Sequence, residues 1–224
     1  MSSKNMIAPG IKRIQFDSTD SWLNARHGIG GSDASAVLGL NPYKTNIELY
    51  LEKTGQGTAP DISDKDYVKY GHDAEPLLRS LFALDHPEYK VEYFGDNMIR
   101  NEKYQWAHAS LDGELTDQDG RKGILEIKTT NILQSMQREK WNDRIPDNYY
   151  IQVLHYLLVT EYDFVELRAQ LKSEWQGQIR LQTKDYHIER SDVEEDIEIL
   201  RQAEEEFWQK VQRRQQPNLI LPEI

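Results

Sequence analysis

The chain has 224 residues, a formal net charge of −11 and no cysteine. Without thiols, disulfides, thiol catalysis, iron–sulfur clusters and cysteine-bound zinc are all excluded. No stretch approaches the roughly 20 apolar residues of a membrane span, and the opening Met1–Asn5 has no apolar signal core, so a protein of the cytoplasm, one domain over residues 1–224, is expected.

The acidic balance argues against nucleic acid, whose affinity comes largely from phosphate contacts. Its distribution weakens that objection. Residues 189–206 carry nine acids and two arginines, seven of the eleven net negative charges, which leaves room for a basic groove elsewhere.

In chain order, the first helix signal is Ser32–Leu38, entered from Gly28-Ile29-Gly30-Gly31. Thr45-Asn46-Ile47-Glu48 is a capping box that opens a helix stopped at Gly55, and residues 56–66 read as a loop. A third helix is predicted over about 72–84, with Leu77, Leu78, Leu81 and Phe82 on one face. Strand patterns follow at Tyr89–Phe94, Met98–Arg100 and Trp106–Leu115, then a turn at Asp117–Gly120 and a strand over 123–129. A helix over about 148–160, strands near 163–171 and 178–184, and a final amphipathic helix over about 191–214 complete the chain. That last helix starts from a capping box at Ser191–Glu194, and its apolar stripe is Val193, Ile197, Leu200, Phe207 and Val211. Helices flanking a central mixed sheet make the fold class α/β (α+β), with a catalytic core over about 22–185.

The chemistry concentrates at Glu126-Ile127-Lys128. Residues two apart on a strand share a face, so Glu126 and Lys128 point one way while Leu125 and Ile127 enter a core. Alone, this is a common pattern of exposed strand charge. Asp112 gives it meaning if the hairpin places the two acids opposite each other. A three-residue loop at 118–120 does so by pairing Asp117 with Arg121, whereas a two-residue loop turns Asp112 to the wrong face. Two carboxylates suit a hard divalent cation, and a lysine can steady an attacking water or a phosphate charge. A further acid is needed from another segment. Glu75 is the candidate, although a carboxylate in the first turn of a helix also suits the dipole alone.

Three other groups merit attention. Arg26, His27, the glycines 28, 30 and 31, and Ser32 resemble an anion loop, in which a helix N-terminus and an arginine meet a phosphate. Gln152 and Tyr156, four apart, share one helix face. His72, His108 and His155 lack zinc-like spacing and read as structural or exposed, and Lys44, Arg121, Lys122, Arg138 and Lys140 read as solvated charge more readily than as a DNA path.

Taken in order, Arg26–Ala34, Leu38–Thr45, Gly71–Glu75, Ser110–Gly113, Glu126–Lys128 and Gln152–Tyr156 resemble the YqaJ-type viral recombinase family, grouped with phage lambda exonuclease among the PD-(D/E)xK nucleases. The similarity covers about residues 22–160, and the motif proline is Leu111 here. It implies a processive 5′-to-3′ exonuclease that acts on linear duplex DNA and leaves 3′ overhangs for recombination by strand annealing. By resemblance, Asp112, Glu126, Glu75 and the Ile127 carbonyl hold Mg²⁺, for which Mn²⁺ is expected to substitute. Lys128 activates the nucleophile, and Arg26, Ser32, Ser110 and Gln152 hold the 5′ phosphate, with Tyr156 in support. The resemblance also implies a homotrimeric ring, a single-strand annealing partner of the RecT or Bet kind, and a phage or prophage gene expressed in the bacterial cytoplasm. A restriction-type metal-dependent endonuclease and a non-catalytic DNA-end-binding recombination protein are the alternatives.

Overall fold

A computed structural model describes residues 6–221, so the opening Met1–Asn5 lies outside the described residues. The core is a five-stranded mixed sheet in the order β3-β5-β6-β7-β8, comprising β3 (Lys90–Glu92), β5 (Gly113–Thr116), β6 (Lys122–Ile132), β7 (Phe164–Trp175) and β8 (Gln178–Glu189). Only β6 and β7 run parallel, joined by the helical crossover α6 (Asp147–Thr160); the other pairings are antiparallel. A second sheet has the order β1 (Met6–Ala8), β2 (Ile11–Gln15), β4 (Asn97–Asn101).

The central strand β6 is covered on both faces, so residues 123–127 are all buried. Leu125 and Ile127 face α4 (Asp66–Asp85), which meets them with Ala74, Leu78 and Phe82. Ile124 faces α6, which supplies Leu154, Leu157 and Leu158. Gly123 is needed there because a Cβ would stand 2.2 Å from the Phe164 ring. Truncating a core ring such as Phe82 costs about 3–5 kcal/mol.

The α4 helix corrects two expectations. It begins at Asp66, not near residue 72, so Glu75 lies in the third turn and has no dipole reason to be acidic. Its buried row is Ala74, Leu78 and Phe82, while Leu77 and Leu81 are exposed. Both i,i+4 rows carry leucines, and only the sheet beneath selects between them.

The strand expected over Trp106–Leu115 is also shorter. Ala107 and Ala109 make isolated bridges to Ile29 and Ile99, and the continuous strand begins at Gly113. The β5–β6 register is Gly113 with Leu125 and Thr116 with Lys122, and Asp117 N–H donates to the Arg121 carbonyl. The loop is therefore residues 118–120, and continuing the register places Asp112 opposite Glu126, as the metal reading requires.

The short helices are α1 (Thr19–Asn24), α2 (Gly31–Val37), α3 (Asn46–Lys53) and α5 (Ser135–Glu139), of which α2 packs on α6 with all but Ser32 buried. The Thr45–Glu48 capping box forms on α3. The last helix, α7 (Glu194–Gln212), buries Ile197, Leu200, Phe207 and Val211 against α6 and α2. Its expected cap is absent. Residues Arg190–Asp192 form a 3₁₀ turn, and Val193, not Ser191, occupies the N-cap. Among the described residues, no helix is long and apolar enough to cross a membrane.

Candidate active site

The acids gather just before β5 begins at Gly113, where the continued β5–β6 register sets Asp112 opposite Glu126. Asp112 Oδ2 accepts from the Ile127 N–H at 2.8 Å, which ties it to the central strand. Glu126 is buried, and its Oε1 faces Lys128 Nζ at 2.6 Å and accepts from Gln152 Nε2 at 2.8 Å. Its Oε2 is buried with no hydrogen-bond partner. Gln152 also donates to the Tyr156 hydroxyl at 2.9 Å, so the α6 pair acts as a bracket for Glu126. Glu75 arrives from α4 and is paired with Arg79, whose Nε donates to the Asp112 carbonyl.

The electrostatics follow from crowding. Burial, then the Asp112 charge, push Glu126 up to about 8 and Glu75 up to about 6. Burial raises Asp112 as well, against the pull of Lys128. Burial works against a charge on Lys128, but Glu126 and Asp112 outweigh it and hold its pKa above the ordinary lysine value. Lys128 is therefore a cation, set 4.9 Å from the Tyr149 ring centroid. Among the described residues, no three His, Cys, Asp or Glu side chains form a ready-made metal cage. The donors present nonetheless fit a hard divalent ion, because they are carboxylate oxygens in excess of their counter-charges and one of them, Glu126 Oε2, is buried and unpaired.

Two cavities meet at these acids. One, of about 320 Å³, is lined by Tyr67, Gly71, Glu126, Lys128, Tyr149 and Gln152; the other, of about 560 Å³, by Trp22, Arg26, Ser32, His108, Ser110 and Arg79. Glu75 and Asp112 line both. The predicted phosphate residues Arg26, Ser32 and Ser110 thus share one cleft, and Gln152 stands in the other, bound to Glu126. Arg26 lies over the Trp22 ring at 4.9 Å, and Trp22 Nε1 donates to Ser110 Oγ at 3.1 Å.

The glycine loop serves packing more than openness. A Cβ on Gly31 would stand 2.5 Å from the Tyr156 ring, and one on Gly28 2.3 Å from the Trp106 carbonyl oxygen. The predicted N-terminal N–H of Gly30 is taken by Asp33 Oδ2 at 3.2 Å, and Asp33 in turn pairs with Lys53 at 2.6 Å. Lys44 and Arg121, weighed as a DNA path, are tied to Glu52 and to Asp117 and Glu189.

Sequence reasoning missed Arg79, Trp22 and Tyr149. Arg79 had a legible signal, its i+4 spacing from Glu75. The other two are placed by tertiary packing alone.

Comparison with known proteins agrees with the geometry. The model of the YqaJ-like viral recombinase domain matches residues 21–163. The YqaJ protein of Bacillus subtilis (strain 168) is 37% identical over 198 residues, 85% of this chain and 56% of that protein, so the chain spans about half the length of the curated relative it matches. Among solved structures, the fold is similar to that of an alkaline exonuclease (LHK-Exo) from Laribacter hongkongensis, with TM-score 0.60, 17% identity, and 87% of this chain and 95% of that one covered. It is also similar to that of a phage-related exonuclease from Haemophilus somnus 129PT, with TM-score 0.57, 14% identity, and 85% and 98% covered. With its motifs in order on this fold, the chain belongs to the YqaJ-like viral recombinase family.

Proposed function

We propose that the chain is a Mg²⁺-dependent deoxyribonuclease that degrades linear duplex DNA processively from its 5′ ends and leaves 3′ overhangs for recombination by strand annealing. The observation that carries this reading is the unpaired Glu126 Oε2 in a cluster with Asp112, Glu75 and Lys128. The Arg26 cleft supports the choice of an end-directed enzyme, because it shares Glu75 and Asp112 with the acid cluster.

Asp112, Glu126, Glu75 and the Ile127 carbonyl would hold the ion, with Mn²⁺ as a substitute. When bound, it supplies positive charge to the phosphoryl oxygens and an acidified water. The chain's own residues do the rest. Gln152 fixes the rotamer of Glu126 and leaves its second oxygen facing the site. Lys128, held cationic, steadies the water or the phosphate charge. Arg79 holds Glu75 and the Asp112 main chain in one place. Arg26, with Ser32 and Ser110, anchors the terminal phosphate and so sets the register of cutting.

A homotrimeric ring around DNA and a RecT- or Bet-like annealing partner complete the proposal. The exposed Leu77, Leu81 and Leu84 of α4 support association of copies, and the acidic α7 supports an outer surface that DNA avoids. The experiment is release of label from 5′- and 3′-labelled linear duplex with Mg²⁺, beside a covalently closed circle. Cutting of the circle favours an endonuclease, and no release from any substrate favours a non-catalytic end-binding protein.

A further inference from the structure

The cleft holds one side chain that the reading above leaves unused. His108 is 3% exposed, and neither Nδ1 nor Nε2 has a hydrogen-bond partner. Its main chain, by contrast, is fully engaged: its N–H donates to the Ile29 carbonyl at 3.0 Å, and His155 Nε2 lies 2.9 Å from its carbonyl oxygen. A buried imidazole with neither nitrogen bonded to another protein group is costly, and native proteins keep few such groups without a use. Burial, then the neighbouring His155 and Arg26, push its pKa down to about 3. The ring is therefore neutral, with one nitrogen a donor and the other an acceptor.

Gly30 shows what the ring faces. At Gly28 and Gly31 the space for a side chain is filled by the Trp106 carbonyl and the Tyr156 ring. At Gly30 the nearest atom to an ideal Cβ is His108 Nε2 at 3.1 Å, followed by its Cε1 at 3.4 Å and Arg26 Nη2 at 3.8 Å. Gly30 thus lets the imidazole edge pack against its main chain, with the Arg26 guanidinium beside it, at the cleft that Ser32 and Ser110 also line.

We propose that His108 is a binding residue for the terminal 5′ phosphate, its Nε2–H donating to a phosphate oxygen held beside Arg26 in the cleft that both residues line. The inference rests on the reading of the Arg26 cleft as the end anchor and adds a residue to it. Arg26 brings charge that acts at a distance. A neutral donor fixed by packing brings direction, and it selects an oxygen at one place over general attraction to DNA.

The test uses the full chain with blunt duplexes of one sequence carrying either a 5′ phosphate or a 5′ hydroxyl. His108→Leu is expected to raise KM for the phosphorylated end about tenfold, the loss of one hydrogen bond to a charged group. The loss appears in KM more than in kcat, and His108→Gln, which keeps a donor, recovers part of it. In the wild-type protein with Ca²⁺, the ¹⁵N resonances of the His108 ring are expected to move on adding the phosphorylated duplex and to stay in place with the hydroxyl duplex. Ring resonances that ignore the phosphorylated duplex, or a folded His108→Leu with wild-type KM and end preference, overturn the inference. If Arg26→Ala loses the preference while His108→Leu keeps it, the anchor stands without His108; if both keep it, the anchor itself is refuted.

Discussion

Gln152 and Glu126, 26 residues apart in sequence, meet at 2.8 Å, and the bond leaves Glu126 with one satisfied oxygen and one idle one. The helix that crosses from β6 to β7 therefore acts on the chemistry of β6 itself. Gln152→Ala should free Glu126 to pair wholly with Lys128. The expected result is a 10–100-fold loss in Mg²⁺ affinity or activity, the usual size for a residue that orients a metal ligand. A Mg²⁺ titration of nuclease activity checks it, and an unchanged midpoint and maximum would remove Gln152 from the site.

Lys128→Ala should abolish cleavage and spare DNA binding, because the carboxylates and the Arg26 cleft remain. Binding is measured with Ca²⁺, and cleavage with Mg²⁺ on 5′-phosphorylated duplex. Equal activity of variant and wild type contradicts the role given to Lys128.

Arg26→Ala should lose the preference for phosphorylated 5′ ends while retaining cleavage of hydroxyl ends. The comparison is kcat/KM on the two duplexes. A preference as strong as in the wild type places the anchor elsewhere.

The buried pair His155–Glu204, 2.6 Å apart, ties α6 to α7. Burial disfavours a charge on His155, yet Glu204 holds its pKa above the ordinary histidine value. The folded pKa exceeds the unfolded one, so the pair's stabilisation is fully present below about pH 6.5 and is lost as pH rises through the folded value. Urea unfolding across that window should show stability falling with pH. Glu204→Gln should flatten the fall, because without the carboxylate the buried imidazole stays neutral, and the variant should lose stability chiefly below about pH 6.5, where the wild-type pair is charged. A variant with the wild-type slope would show that the pair does not titrate.

Local signals carried much of this site. The Asp117–Gly120 turn was legible, but its length was open between two and three residues, and it is the observed register that puts Asp112 opposite Glu126. Spacing put Gln152 beside Tyr156, but its bond to Glu126 depends on how α6 docks on the sheet, which no local pattern encodes. The strands Met6–Ala8 and Ile11–Gln15 escaped notice because Ile11–Gln15 pairs with Asn97–Asn101, far along the chain. The strand β7 runs past the expected 171 to Trp175, since Gln176 and Gly177, with φ of 50° and 74°, make a tight two-residue turn, and β8 runs past the expected 184 to Glu189 because it pairs with β7 along its whole length. His108 gave no signal at all, because its interest lies in what fails to touch it.

The most direct test of the central claim is the release of nucleotides from linear duplex labelled at the 5′ or the 3′ terminus, with and without Mg²⁺. The account predicts rapid Mg²⁺-dependent release of 5′ label, retention of 3′ label in the surviving strand, and an intact closed circle. Release of 3′ label first, cutting of the circle, or activity that persists in EDTA would contradict it.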